Sequence, residues 1–296
     1  MRRLRIDLAY DGTAFAGWAA QPGQRTVEAE LSAVLARRPP TPGPVGRLVV
    51  AGRTDAGVHA RAQVCHLDVG DPLNADSAIG DPGMGGPDPA PVRTVRAWNR
   101  MLPDDIRIRR LGVAPDGFDA RFSALSRRYV YRVADPVTVI DPLTRNWICL
   151  HHRELDTGAM SLAAAQLRGR HDFAAFCRAK AGGTTIRTLL TLTVTRGPGG
   201  VVAVEVVADA FCHSMVRALV GGLLAVGEGR RPPEWPAAVL AARVRDPAVG
   251  VAPARGLVLE QVTYPPVEQL AERAAQTRSL RDPADVDPLI GAGCDG

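Results

Sequence analysis

Lysine is nearly missing from this chain: of 36 basic residues, Lys180 alone is a lysine and the rest are arginine. A long hydrophobic run is missing too. The longest uncharged apolar stretch, Ala218 to Gly227, has ten residues, against about twenty for a membrane span. The basic start, MRRLRIDLAYDG, leads into no continuous apolar segment, so no secretory signal is expected. Paired cysteines are absent as well. Cys65, Cys149, Cys177, Cys212 and Cys294 include no C-x-x-C, and the nearest two are 28 apart. That spacing suits neither a zinc site nor a disulfide framework. Buried thiols in a reducing cytoplasm are the expectation. His151 and His152 adjoin, so on a strand they face opposite ways, and no metal site is expected.

What is present sets the scale. The chain has 296 residues, 46% hydrophobic and 23% charged, enough for a sizeable core in one large domain or two smaller ones. Its net charge is +5, yet Pro265 to Gly296 holds six acids and three arginines, leaving +8 on residues 1–264. A GC-rich genome would account for arginine in place of lysine. The excess positive charge still favours a polyanionic partner.

Hydrophobic periodicity places the elements. Leu4, Ile6 and Leu8 alternate with polar neighbours as in a half-buried strand. Thr26 is a good N-cap, with Glu28 and Glu30 in the first turn and Val27, Leu31, Val34 and Leu35 on one helical face. Strands are expected over 48–51, 63–69, 106–113, 128–133 and 256–264, and helices over 92–101, 214–226 and 235–243. Asp156 is positioned to cap a helix running to Leu167. Thr191 to Arg196, GPGG and Val201 to Phe211 read as a hairpin. Gly221–Gly222 would let the helix at 214–226 pack closely. Residues 70–91 hold ten Gly or Pro and four Asp, which reads as a flexible insertion. From Pro265 the chain is proline-rich, acidic and aperiodic, the composition of a disordered tail. The order β-α-β-β-α-β, then β-α-β-β-α-α-β, is α+β: an N-terminal half over 1–125, a C-terminal half over 126–264 and a tail over 265–296.

Three constellations could carry chemistry. In AGRTDAGVHA, Ala51 to Ala60, Arg53, Thr54, Asp55 and His59 lie between and beyond turn-forming glycines at a strand end. Arg53 and Asp55 are near enough in sequence to interact, and a neighbouring cation keeps a carboxylate ionised. A hydrogen-bonded turn is the competing reading. In FDARFSALSRRYVYRV, Arg121, Arg127, Arg128 and Arg132 interleave with Phe118, Phe122, Tyr129 and Tyr131. That pattern suits phosphate contact and base stacking, or an edge strand with a solvated arginine face. In FCHSMVR, Arg217 lies one turn into an apolar helix and needs a carboxylate partner; Asp55 and a core ion pair are both open.

Together with YDGTAFAGW and NRMLPDDI, these segments resemble, in order and over nearly the whole chain, the tRNA pseudouridine synthase A family. The resemblance implies two RRM-like, or ferredoxin-like, halves with a joined, mainly antiparallel sheet and helices packed on it. It implies a cytoplasmic homodimer without metal or organic cofactor. The implied reaction converts uridine to pseudouridine at positions 38, 39 and 40 of the tRNA anticodon stem-loop, with the base flipped out of its stack. By the same resemblance Asp55 is the catalytic aspartate, Arg53 helps extrude or replace the base and Arg217 pairs with the aspartate. Tyr129 stacks on uracil and Leu257 lines an apolar pocket, with Arg127, Arg128 and His59 as further substrate contacts. The run after Gly17–Trp18, Ala19-Ala20-Gln21, departs from the family's glutamine-rich pattern, the 70–91 insertion is longer than its norm, and the acidic tail past Pro265 is unusual for it. A tRNA-binding module of the same fold and a hydrolase releasing free uracil are the alternative functions.

Overall fold

The computed structural model describes residues 1–41, 43–70, 89–177, 184–278 and 286–287. In chain order the elements are β1 (Arg2–Tyr10), α1 (Val27–Arg37), β2 (Val49–Val50), β3 (His59–Val69), α2 (Pro89–Met101), β4 (Ile106–Val113) and β5 (Ser126–Ala134). There follow β6 (Cys149–Leu150), α3 (Thr157–Ala165), β7 (Gly169–Asp172), β8 (Ile186–Arg196), β9 (Val202–Ala208), α4 (Met215–Gly227), α5 (Trp235–Ala242), β10 (Leu257–Thr263) and α6 (Leu270–Arg278). The chain forms two compact units, Met1–Leu125 with Leu259–Ser279, and Ser126–Val258 with Leu280–Gly296.

In the first unit β1 is the middle strand, antiparallel to β3 on one side and β4 on the other; β2 pairs with the far edge of β3. The period of two in β1 sends Leu4, Ile6, Leu8 and Tyr10 into the core and Arg3, Arg5 and Asp7 to the other face. Thr26 caps α1 by accepting from Ala29 N, worth about 1 kcal/mol, and Val27, Leu31, Val34 and Leu35 are buried, as the periodicity required. Trp98 of α2 is fully buried, and its Nε1 donates to Arg38 O at 2.9 Å, tying α2 to the end of α1.

In the second unit β5, β9, β8 and β7 pair antiparallel in that order, and β6 adds to β5 in parallel. Asp156 caps α3 through the amides of Gly158 and Ala159. Arg196, at the end of β8, makes a two-pronged bond to the buried Asp135 carboxylate, Nη1 to Oδ1 at 2.9 Å and Nη2 to Oδ2 at 2.7 Å. Leu155 N and Thr138 Oγ1 complete that carboxylate's shell. These partners, the Arg196 bond foremost, hold the Asp135 carboxyl down at about 2.

The expectation of a disordered tail from Pro265 fails over its first part. Val267–Gln269 form a 3-10 turn and Leu270–Arg278 a helix. Leu270 and Ala274, four apart on one face, are buried, and Ser123 Oγ donates to Leu270 O at 3.0 Å. Two anchors suffice to dock a short helix but leave too thin a stripe to read in sequence. Cys212 is half-buried rather than buried; Cys65, Cys149 and Cys177 are buried as expected. The expected insertion over 70–91 and the remainder of the tail fall largely outside the described residues.

Candidate active site

The loop Gly52–Val58 leaves β2 and returns into β3, and a chain of buried side chains fixes its shape. Tyr10 OH and Thr54 Oγ1 share a hydrogen bond of 2.8 Å. Gln63 Nε2, fully buried, donates to Tyr10 OH at 3.1 Å and to Gly52 O at 2.9 Å. Burial pushes the Tyr10 hydroxyl up to about 12, so it stays neutral as a strut. Thr54 thus bonds a tyrosine rather than a backbone amide, which sets aside a simple threonine-capped turn.

The segment Tyr10 to Trp18 clasps the loop from its other side. Trp18 N donates to Thr54 O at 3.0 Å, and Gly57 N to Phe15 O at 3.1 Å. Gly17 has φ +102°, and a Cβ there would stand 2.8 Å from Thr54 O. A Cβ on Gly12 would stand 2.0 Å from Val58 O. Both positions need glycine because two backbones touch. His59 is buried, and its Nδ1 accepts from Gly12 N at 3.0 Å with Asp11 Oδ1 3.1 Å away. His59 is therefore built into the clasp.

NRMLPDDI braces the same region. Arg25 grips Asp105 at 2.7 and 2.9 Å and Glu30 at 3.0 Å, while its guanidinium lies 4.1 Å from the Phe15 ring centre. Asp11 N donates to Asp105 O at 2.9 Å. Asn99 closes a two-way bond to Ile108, Nδ2 to O and N to Oδ1, each 2.8 Å. These contacts present Asp55 half-buried at the loop, its carbonyl accepting from Val58 N at 3.1 Å. Arg53 is exposed and bonds no described residue, so the expected Arg53–Asp55 interaction does not form.

FDARFS is a run of turns rather than the edge strand of the competing reading. Asp119 Oδ1 accepts from Arg121 N at 2.9 Å and Phe122 N at 2.8 Å, and Ala120 N donates to His66 Nδ1 at 3.0 Å. Burial, then the charge of Arg3, lowers the His66 imidazole to about 4. The segment ends the first unit; SRRYVYR opens the second.

The second unit carries the other expected site residues. Tyr129 on β5 is buried, its ring edge-on to Phe211 with centres 5.2 Å apart. Arg127 is buried, and Nη1 donates to Asp209 O at 2.6 Å. Arg128 is half-exposed and meets Glu205 at 3.0 Å. Leu257 is buried at the start of β10. Arg217 is half-buried one turn into α4 and doubly tied to the loop at 252: Nε donates to Ala252 O at 2.7 Å, and Ala252 N to Arg217 O at 3.0 Å. Gly221 makes that approach possible, since a Cβ there would stand 1.8 Å from Gly250 O. Ser214, just before α4, has φ +62°, a left-handed backbone that costs a non-glycine residue about 1 kcal/mol or more.

Three contributors escaped the sequence reading. Gln63 sits in the middle of an ordinary strand pattern. Phe211 was one aromatic among several. Ser214's backbone leaves no mark in residue type. A lone glutamine at a core-facing strand position was the one signal available.

A family model described as tRNA pseudouridine synthase matches residues 163–265. Relatives named tRNA pseudouridine synthase A align over almost the entire chain. That of Frankia casuarinae is 57% identical over 281 residues, 95% of this chain and 96% of the relative. That of Streptomyces griseus is 50% identical over 293 residues, 99% and 96%. That of Mycobacterium leprae is 45% identical over 281 residues, 94% and 95%.

Proposed function

This chain belongs to the tRNA pseudouridine synthase A family, whose members isomerise uridine to pseudouridine in tRNA, and we propose that it acts at positions 38, 39 and 40 of the anticodon stem-loop with Asp55 as the essential carboxylate. The observation that carries the Asp55 assignment is the clasped loop. Buried polar struts and two backbone-to-backbone contacts are spent on positioning seven residues that contribute little apolar core. Such over-determination suits a group that must be held rather than a connection.

The chemistry needs one anion in a dry place. The C1′–N1 bond breaks, uracil turns, C1′ joins C5, the C5 hydrogen leaves as a proton and N1 takes one up. Positive charge builds at the sugar as the bond breaks, and a carboxylate beside it lowers the barrier. Water would capture the sugar, so the pocket must exclude it. A stacked or paired uridine is out of reach, and the base must be everted.

In this reading Tyr129 stacks on the everted uracil and Leu257 keeps its surroundings apolar. Arg217 supplies the positive charge that keeps the carboxylate ionised, and Arg53 fills or guards the space the base vacates. Arg53's exposure and lack of a described partner suit that task. Arg128, half-exposed, is a phosphate contact. Arg127 and His59, both buried and bonded to backbone, serve substrate binding by positioning. A homodimer in the cytoplasm completes the reading, supported by exposed apolar side chains at Val137, Val139, Ile140, Leu143 and Leu150.

The test is to treat unmodified tRNA with the purified protein and map pseudouridine nucleotide by nucleotide. Conversion confined to 38–40 is expected; conversion elsewhere, or none, overturns the assignment. Sedimentation equilibrium should give the mass of two chains.

A further inference from the structure

Helix α2 contains no acidic residue, and Arg93, Arg96 and Arg100 on it are all exposed. At 3.6 residues per turn these three lie within an arc of about 60°. The opposite stripe is Val95, Trp98 and Leu102, of which Trp98 and Leu102 are buried. Packing therefore turns the three guanidinium groups away from the sheet.

Elsewhere in the first unit several arginines are matched with carboxylates: Arg3 with Asp68, Arg5 with Asp7, Arg25 with Asp105 and Arg107 with Asp104. The two acids beyond the end of α2, Asp104 and Asp105, are thereby taken. Arg93, Arg96 and Arg100 form no hydrogen bond or ion pair with any described residue. Arg37 and Arg38, at the end of α1, have exposed and equally unengaged side chains, and the Trp98–Arg38 bond brings that end against α2. Like charges gathered with no carboxylate partner among the described residues repel one another, which a polyanion relieves.

The spacing suits phosphates. Arg93 to Arg100 spans about 10 Å of helix axis, over which one strand of a duplex presents about three phosphates. Guanidinium groups meet phosphate oxygens two at a time. No arginine of this ridge is among the groups that hold the Asp55 loop. We propose that Arg93, Arg96 and Arg100 bind the phosphate backbone of tRNA outside the anticodon stem-loop, flanked by Arg37 and Arg38. The proposal rests on the reading of tRNA as substrate and adds the surface that grips its body.

The experiment compares wild type with R93Q/R96Q/R100Q and R93K/R96K/R100K. Binding of whole tRNA is followed by fluorescence anisotropy across a salt series, and conversion is measured on whole tRNA and on an isolated anticodon stem-loop. The glutamine variant should lose about two to three units from the slope of log affinity against log salt. The lysine variant should keep most of that slope, and stem-loop conversion should match wild type in both. Wild-type slope and affinity in the glutamine variant overturn the ridge. So does an equal loss on whole tRNA and stem-loop. Failure of wild type to convert either RNA would instead refute the substrate reading.

Discussion

At the scale of single residues, Gly12 and Gly17 decide where Asp55 stands, because each lets one backbone touch another. Gly12→Ala forces a methyl against Val58 O, and overpacking of this kind costs about 1–3 kcal/mol. The variant should lose turnover while thermal unfolding shows that the core still forms. Tyr129→Ala should impair turnover far more than tRNA affinity, because phosphate contacts dominate binding; saturating kinetics beside a binding isotherm separates the two. His66 sets a dependence on pH. Its folded-state pKa, about 4, lies below the ordinary value of 6.5. Between those values the unfolded chain takes up a proton that the folded one refuses, so stability falls as pH drops from 6.5 toward 4. Urea midpoints at pH 7 and pH 5 should show this fall, and His66→Asn should flatten it.

At the scale of elements, the Asp135–Arg196 pair locks β8 to the end of β5 and to the turn before α3. Asp135→Asn leaves a partly buried guanidinium without its counter-charge and should cost about 3 kcal/mol in a denaturant titration. Most elements were legible because they follow local rules. Thr26 with its two glutamates wrote α1, Asp156 wrote the start of α3, and alternation about GPGG wrote the β8–β9 hairpin. β6 has two residues and β7 four, too few to show a period, and each exists because a neighbouring strand supplies its bonds. α6 hid behind proline and acidic composition because Leu270 and Ala274 are its only buried side chains.

At the scale of the whole molecule, the chain's positive charge is unevenly neutralised. Arg3, Arg25 and Arg196 have carboxylates, and the arginines on α2 stand without described partners. Affinity for tRNA should therefore fall steeply with salt. The candidate site was legible as a list of residues through its motifs. The division of labour among them was not, since Gln63, Tyr10 and His59 act through buried bonds that no spacing reveals. Arg53, two residues from Asp55, illustrates the same limit: adjacency in sequence does not by itself make a bond. The most direct measurement is tritium release from C5-labelled tRNA by Asp55→Asn, with tRNA affinity and the unfolding midpoint read alongside. Release should fall at least about 100-fold with binding and fold retained. Release at the wild-type rate would contradict the assignment of the carboxylate.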